Sequence, residues 1–294
     1  MSRTVWINGR LAPADEPVLT VTDRGFQVGD GIFETIRVVG GRVLELQLHV
    51  GRLQASAAVL EIPLPDDLGR CLDAAIGDVL RANRLDDSGS QVAVRVTASR
   101  GPIDGRALRP ADEVRPNLVV QAWRVEPPAP DLLRRGVHLV VSNVRRDPLS
   151  PLATVKTTSR AEFVYAQLQA LHRGGDDALF LTTDGHLAEA TSASIFLVDG
   201  GGLRTPSLDC GILVSTTREW VISKGAPRLG LAARPERLSL DDLFAAEEAF
   251  LASSVAGIVP VTRVDGRPIG AGTSGVWTLR LRALRESAAF GSRE

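Results

Sequence analysis

The sequence predicts a mixed α/β (α+β) protein built from two domains. Runs rich in β-branched residues alternate with segments whose apolar residues recur at helical spacing, which indicates strands mixed with amphipathic helices. The 294 residues suit two ordinary domains, and a proline-rich break, EPPAPDLLRRG, interrupts the pattern at 126–136. We therefore predict a small N-terminal α/β domain at 1–123, an interdomain linker at 124–131 and a larger C-terminal domain at 132–294.

The N-terminal half alternates strands and helices. Gly40 and Gly41 interrupt a β-rich run, IFETIRVVGGRVLEL, and a glycine pair in that position predicts a hairpin. Apolar residues at helical spacing predict two helices, and the second has acidic residues in its first turn, where the helix dipole favours them. In order, the predicted elements are a strand at 4–9, the hairpin at 32–46, helices at 46–62 and 65–83, and strands at 90–99 and 115–125.

The C-terminal half continues this alternation. Two glycines end a predicted helix after its last apolar residue, as glycines often do. Thr216 and Glu219 have the spacing of a capping box, which predicts that a helix begins with Thr216 as its N-cap. In order, the predicted elements are a strand at 136–144, a helix at 160–175, strands at 176–183 and 192–203, a helix at 216–225, a short helix running into a strand at 239–254, and a final helix at 275–290.

Composition argues against several classes of function. The net charge is −1 and the pI is about 6.5, so we expect neither nucleic acid nor an anionic membrane as a partner. We find no apolar run of the roughly 18 residues that a membrane span needs, and no signal-peptide core. The cysteines and histidines lack metal-ligand spacing. We therefore expect a cytoplasmic protein without a metal site.

One side chain is distinguished by its type. The chain has 34 basic residues, and only Lys156 and Lys224 among them are lysines. A chain-wide bias towards arginine explains most of this pattern. A primary amine can nevertheless lose its proton and form an imine with an aldehyde, which a guanidinium cannot do. Lys156 is therefore a candidate Schiff-base lysine, and the obvious aldehyde cofactor is pyridoxal 5′-phosphate (PLP).

PLP needs an acid at its ring nitrogen, an anion site for its phosphate and a second anion site for the substrate carboxylate. Glu189 is a candidate for the acid, and the predicted helix start at Thr216 and Thr217 offers N–H groups and hydroxyls to a phosphate. Each of these residues also has an ordinary structural explanation, as a loop acid or a helix cap. The other candidates are Arg52 and Ser254 for the phosphate, and Arg100 and Arg106 for the carboxylate.

Seven motifs follow one another along the chain. They are DRGFQVGDGIFETIRV at 23–38, HVGRL at 49–53, SRGPIDGRAL at 99–108, VKTTSRAEF at 155–163, DGHLAEATSASIFLV at 184–198, LRTPSLDCGILVSTTRE at 203–219 and FLASSVAGIVPV at 250–261. In this order and spacing they resemble the class IV aminotransferases, the fold-type IV PLP enzymes. The resemblance covers about residues 3–285. It implies a small α/β domain, a larger PLP-binding domain with a barrel-like sheet, and a homodimer.

The resemblance also implies a role for each candidate residue. Lys156 forms the imine with the cofactor and moves the proton, Glu189 pairs with the ring nitrogen, and Leu213 packs on a face of the ring. The residues implied at the phosphate are Arg52, Thr216, Thr217 and Ser254, and those implied at the substrate are Phe33, Arg100 and Arg106. Ser194 replaces the family's usual asparagine, and Arg145 or Arg146 is our substitute for a family tyrosine that this chain lacks.

The motif GDGIFETIR at 29–37 bears on the reaction. It resembles the D-amino-acid aminotransferase and 4-amino-4-deoxychorismate lyase branch, whereas branched-chain enzymes typically carry a YGxxxFEGIR-like run. We therefore predict transfer of an amino group between a D-amino acid, or an (R)-primary amine, and a 2-oxo acid. The alternative is the lyase, which releases pyruvate, and the third candidate is a branched-chain L-amino-acid aminotransferase.

Overall fold

The computed structural model describes residues 3–16, 18–104, 108–111 and 113–291, and its chain divides into two units. The first comprises Met1–Glu126 and Val155–Arg160, and the second comprises Pro127–Thr154 and Ala161–Glu294. The sequence analysis assigned all of 132–294 to one C-terminal domain, which is wrong for Val155–Arg160.

Backbone pairing explains why that segment belongs to the first unit. The Phe33 N–H donates to the Lys156 carbonyl at 2.9 Å, and the Thr158 N–H donates to the Gly31 carbonyl at 2.8 Å. Lys156 is therefore attached to a strand of the first unit.

The first unit is an antiparallel sheet with two helices packed on one face. Its elements are β1 (Thr4–Ile7), β2 (Arg10–Pro13), α1 (Arg24–Val28), β3 (Gly31–Val39), β4 (Arg42–Val43), α2 (Leu46–Leu60), α3 (Leu68–Ala82), β5 (Gln91–Ser99) and β6 (Asn117–Arg124). The strand order is β2-β1-β6-β5-β3-β4. Leu72, Ile76 and Val79 lie at helical spacing on α3 and are buried in the same core as Ile36 and Val94 of the sheet. The predicted hairpin and both predicted helices are confirmed.

The second unit is built around a closed barrel. Its strands are β7 (Val137–Arg146), β8 (Asp177–Thr182), β9 (Leu187–Ala190), β10 (Ser194–Asp199), β11 (Gly202–Pro206), β12 (Ala232–Glu236), β13 (Glu248–Ser253), β14 (Gly257–Val264) and β15 (Arg267–Pro268). The order β9-β10-β13-β14-β7-β8 returns to β9, which closes six strands into a ring. Alternating apolar residues such as Leu139, Leu179 and Leu251 fill its core. The barrel-like sheet that the resemblance implied is confirmed.

Helices cover the barrel strands. They are α4 (Pro130–Arg135), α5 (Ala161–His172), α6 (Thr216–Trp220), α7 (Ala226–Arg228), α8 (Leu240–Ala245) and α9 (Val276–Phe290), with a 3₁₀ turn at Leu208–Cys210 and a π turn at Val221–Gly225. Helix α4 begins inside the predicted linker. Within the described ranges, none of the helices combines the length and the apolar character needed to cross a bilayer.

The predicted capping box at Thr216 is wrong. Ser215 is the N-cap of α6: its backbone is extended, and its hydroxyl accepts a hydrogen bond from the Arg218 N–H at 3.2 Å. Thr216 is already the first helical residue, so its hydroxyl is available for contacts other than capping.

Candidate active site

The backbone on both sides of the Lys156 side chain is held in place. The Lys156 N–H donates to the Ser56 hydroxyl at 3.3 Å, its carbonyl accepts from Phe33, and Thr157 forms a β-bridge with Ile32. The half-buried side chain places its Nζ 4.6 Å from the centre of the Phe33 ring. The structure therefore brings together the predicted imine-forming lysine and the predicted pocket aromatic.

Arg95 shares the Phe33 ring with this amine. Its guanidinium carbon lies 3.8 Å from the ring centre, and its Nε donates to the Thr97 hydroxyl at 3.2 Å. Burial lowers the pKa of the Arg95 guanidinium, because a desolvated cation is less stable. A partly buried positive charge beside a reactive amine can bind a carboxylate. The sequence analysis missed Arg95; the available signal was a lone charge within the otherwise apolar run VAVRV.

Arg52 is held by an ion pair inside the first unit. Its Nε and Nη2 donate to the two carboxylate oxygens of Glu34 at 2.7 and 2.6 Å, and His49 Nδ1 lies 2.7 Å from the same carboxylate. Burial alone would raise the pKa of Glu34, but the hydrogen bonds from Arg52 and His49 lower it to about 2. The phosphate role of Arg52 stays a prediction, and the sequence analysis named neither Glu34 nor His49.

The substrate role predicted for Arg100 is not supported by its contacts. Arg100 is buried, and its Nε donates to Asp30 at 2.7 Å while its two other nitrogens donate to the carbonyls of Glu61 and Leu60. All three nitrogens thus join the loop after β5 to the end of α2, so Arg100 is a structural residue. Arg106, the other predicted carboxylate ligand, lies outside the described residues.

Glu189 and Leu213 meet in the second unit. Glu189 is buried on β9, a four-residue strand that the sequence analysis did not predict, and its Oε2 accepts from the Leu213 N–H at 3.2 Å. Its other oxygen lies 3.5 Å from Nη2 of Arg146, which also pairs with Glu162 at 2.9 Å. The structure therefore places the predicted ring-nitrogen acid beside the predicted ring-packing residue.

Three hydroxyls predicted to bind the phosphate gather at the start of α6. Oγ1 of Thr216 lies 3.3 Å from Oγ of Ser254, which follows β13 directly. Thr217 is fully buried, and its hydroxyl has no hydrogen-bond partner among the residues that the structure describes. Leaving a buried hydroxyl unpaired costs about 1–3 kcal/mol. A ligand that supplies an oxygen acceptor would remove this cost.

A comparison with protein families agrees with these features. Residues 31–264 match the model of amino-transferase class IV, a span of most of the chain. The chain is a class IV aminotransferase.

Relatives of this aminotransferase carry three different activities. A protein of Methanocaldococcus jannaschii, provisionally named a branched-chain-amino-acid aminotransferase, is 34% identical over 95% of this chain and 93% of its own. Aminodeoxychorismate lyase of Bacillus subtilis is 27% identical over 96% and 94%, and D-alanine aminotransferase of Bacillus licheniformis is 26% identical over 97% and 96%.

Solved structures share the whole fold of the aminotransferase. A branched-chain amino acid aminotransferase from the source abbreviated T.th., solved with pyridoxamine 5′-phosphate, superposes with a TM-score of 0.91 at 28% identity, covering 100% of this chain and 96% of that one. The branched-chain aminotransferase of Thermoproteus uzoniensis with norvaline superposes with a TM-score of 0.88 at 29% identity, covering 100% and 97%. The fold-type IV architecture that the sequence implied is therefore confirmed.

The enzyme uses PLP, as class IV aminotransferases do, and its residues suit that cofactor. The buried hydroxyl of Thr217, unpartnered within the described part of the chain, fits a phosphate oxygen, and the fixed amine of Lys156 fits an aldehyde. Glu189, as a carboxylate, fits a protonated ring nitrogen.

Proposed function

We propose that this aminotransferase moves an amino group from an aliphatic amino acid to a 2-oxo acid, with Lys156 as covalent anchor and proton carrier. The observation that carries the proposal is the Lys156 amine, which is held by backbone pairing over Phe33 with the cation of Arg95 on the same ring. PLP, when bound, supplies an aldehyde and an electron-withdrawing ring.

The residues of the enzyme then bind and move protons. Lys156 Nζ takes the proton from the substrate α-carbon and returns it to the neighbouring carbon. Glu189 holds the proton on the ring nitrogen, and Leu213 packs on the ring. Arg52, Thr216, Thr217 and Ser254 bind the phosphate by charge-assisted hydrogen bonds.

We propose Arg95 as the residue that binds a substrate carboxylate. Arg100, on which that role was first placed, uses all three of its nitrogens on Asp30 and two carbonyls. Arg95 donates a side-chain hydrogen bond to Thr97, and its guanidinium lies over Phe33 near the Lys156 amine. A carboxylate beside Arg95 would offset the desolvation that lowers the pKa of its guanidinium.

Branched-chain L-amino acids are our first candidate for the amino donor. Two features support them: the 34% identical relative bears that name, and the contacts of Arg100 withdraw the anchor used to argue for D-amino acids. D-amino acids are the second candidate, favoured by the run GDGIFETIR and by the D-alanine aminotransferase relative. Release of pyruvate from aminodeoxychorismate is the third, favoured by the lyase relative.

A parallel assay tests these donors. The purified enzyme is given L-leucine or D-alanine with 2-oxoglutarate, and separately aminodeoxychorismate without an acceptor. We expect glutamate with L-leucine at a kcat/KM at least tenfold above that with D-alanine. A preference for D-alanine would reverse the order of donors, and pyruvate formed without an acceptor would replace the transaminase by the lyase.

We also propose a homodimer. Leu19, Val21 and Phe26 of the first unit line one cavity together, and Val21 and Phe26 are 75% and 78% exposed. Exposed apolar patches of this kind mark interaction surfaces. Light scattering should give twice the chain mass, and Phe26→Ser should shift the protein towards monomer; a monomeric wild type would reject the proposal.

A further inference from the structure

A carboxylate occupies the apolar face of the first sheet. Glu34 is 1% exposed and alternates along β3 with Ile32, Ile36 and Val38, whose side chains belong to the core that α2 and α3 cover. Burying an ion pair in such a place seldom stabilises a fold, because the desolvation penalty matches or exceeds the attraction, and an apolar residue often serves better. This pair therefore calls for a role other than stability.

The geometry restricts the orientation of Arg52. A guanidinium is planar, so two hydrogen bonds from Nε and Nη2 to the two oxygens of one carboxylate fix its plane as well as its position. His49, one helical turn before Arg52 on α2, holds the same carboxylate through Nδ1. The strand supplies the acid and the helix supplies both of its partners.

We propose that Glu34 and His49 are positioning residues that orient Arg52 for the phosphate of PLP. The inference rests on the phosphate role proposed above for Arg52. A long arginine side chain that is already ordered loses less conformational freedom when the phosphate binds. The ion pair thus exchanges some stability of the fold for a preorganised anion site.

The test compares two ligands that differ only in the phosphate. Dissociation constants of PLP and of pyridoxal are measured by absorbance on the apoenzyme, for wild type, Glu34→Gln, His49→Gln and Arg52→Met. We expect Glu34→Gln to weaken PLP roughly 3- to 10-fold and to leave pyridoxal unchanged. His49→Gln should weaken PLP less, and Arg52→Met should weaken it most.

The double variant Glu34→Gln/Arg52→Met separates positioning from a general structural effect. We expect no further loss of PLP relative to Arg52→Met, because Glu34 acts only through that arginine. Asp87→Asn, which breaks the exposed pair with Arg124 in the same unit, is the matched control and should change neither constant. If Glu34→Gln does not fold, His49→Gln carries the same comparison.

Two failures are distinguishable. If Arg52→Met weakens PLP while Glu34→Gln and His49→Gln bind both ligands as wild type does, the positioning role is overturned and the proposed function stands. If wild type does not bind PLP, or Arg52→Met binds it normally, the proposed phosphate site fails and this inference fails with it. Equal weakening of PLP and pyridoxal by Glu34→Gln would also overturn the inference, since it would show general damage to the fold.

Discussion

Nζ of Lys156 lies 4.6 Å from the centre of the Phe33 ring, and the Phe33 N–H donates to the Lys156 carbonyl. One residue of β3 therefore fixes the lysine twice, through its backbone and through its ring. An amine held over an aromatic face keeps few rotamers, which suits a group that must reach two neighbouring carbon atoms of a bound substrate.

Lys156→Arg should keep the fold and abolish transamination. The cation and its contact with Phe33 can persist, but a guanidinium cannot form the covalent link to the cofactor. We expect turnover to fall by roughly 10³-fold or more, with loss of the visible absorbance of the holoenzyme. Lys224→Arg is the matched control, since it replaces the other lysine of the chain. Full activity of Lys156→Arg would contradict the proposed function.

Arg95→Gln should weaken substrates without weakening the cofactor. A charge-assisted hydrogen bond is worth about 1.5–3 kcal/mol, so KM for 2-oxoglutarate should rise roughly 10- to 150-fold. The dissociation constant of PLP should stay within twofold of wild type. Arg95→Lys keeps the charge and loses the planar fork, so we expect it to recover part of the loss. An unchanged KM for every substrate would exclude Arg95 from the substrate site.

Acid should weaken the fold through Glu34. Its pKa is about 2 in the folded chain against an ordinary 4.5, so the carboxylate stabilises the fold above pH 4.5 and loses that contribution as the pH falls towards 2. The shift corresponds to about 3 kcal/mol at most. Urea unfolding at pH 6 and pH 3 should show a smaller pH dependence in Glu34→Gln than in wild type. Asp87→Asn should keep the wild-type slope, and equal slopes for Glu34→Gln and wild type would contradict the prediction.

Local patterns were sufficient to predict the helices of the first unit but not the closure of the barrel. Leu72, Ile76 and Val79 repeat at helical spacing, and that period alone predicts α3. Strand β9 has four residues, and it closes the ring by pairing Glu189 with Ser194 and Leu187 with Leu181. Such pairings are non-local, so the barrel could be expected only from the resemblance to a family.

Residue type could point to Lys156 but not to Arg95 or Arg100. Lysine is rare in this chain, whereas one arginine among many carries no signal of its own. Whether an arginine is structural depends on its partners, and those of Arg100 are Asp30 and the carbonyls at the end of α2, 40 to 70 residues away in sequence. Motif position alone assigned Arg100 to the substrate, and its contacts withdraw that role.

Glu248 caps the last helix in place of its N-cap residue. Gly275 stands at the N-cap of α9 and has no side chain, and the Glu248 carboxylate accepts hydrogen bonds from the N–H groups of Trp277 and Thr278 at 3.0 and 2.9 Å. A Cβ added to Gly275 would lie 1.8 Å from Glu248 Cδ. The glycine is therefore required by the space that the carboxylate fills.

Gly275→Ala should accordingly destabilise the chain, although alanine usually stabilises a helix relative to glycine. We expect the free energy of unfolding in urea to fall by about 1–3 kcal/mol, because the Glu248 carboxylate must move away from the N–H groups it caps. Gly51→Ala is the matched control: Gly51 is exposed on α2 with nothing within 4 Å of the new Cβ, so it should gain roughly 0.5–1 kcal/mol. In Gly275→Ser/Glu248→Ala the serine can cap α9 itself, so the double variant should be more stable than the sum of its single changes predicts. Strict additivity, or a Gly275→Ala protein as stable as wild type, would show that Glu248 does not cap this helix.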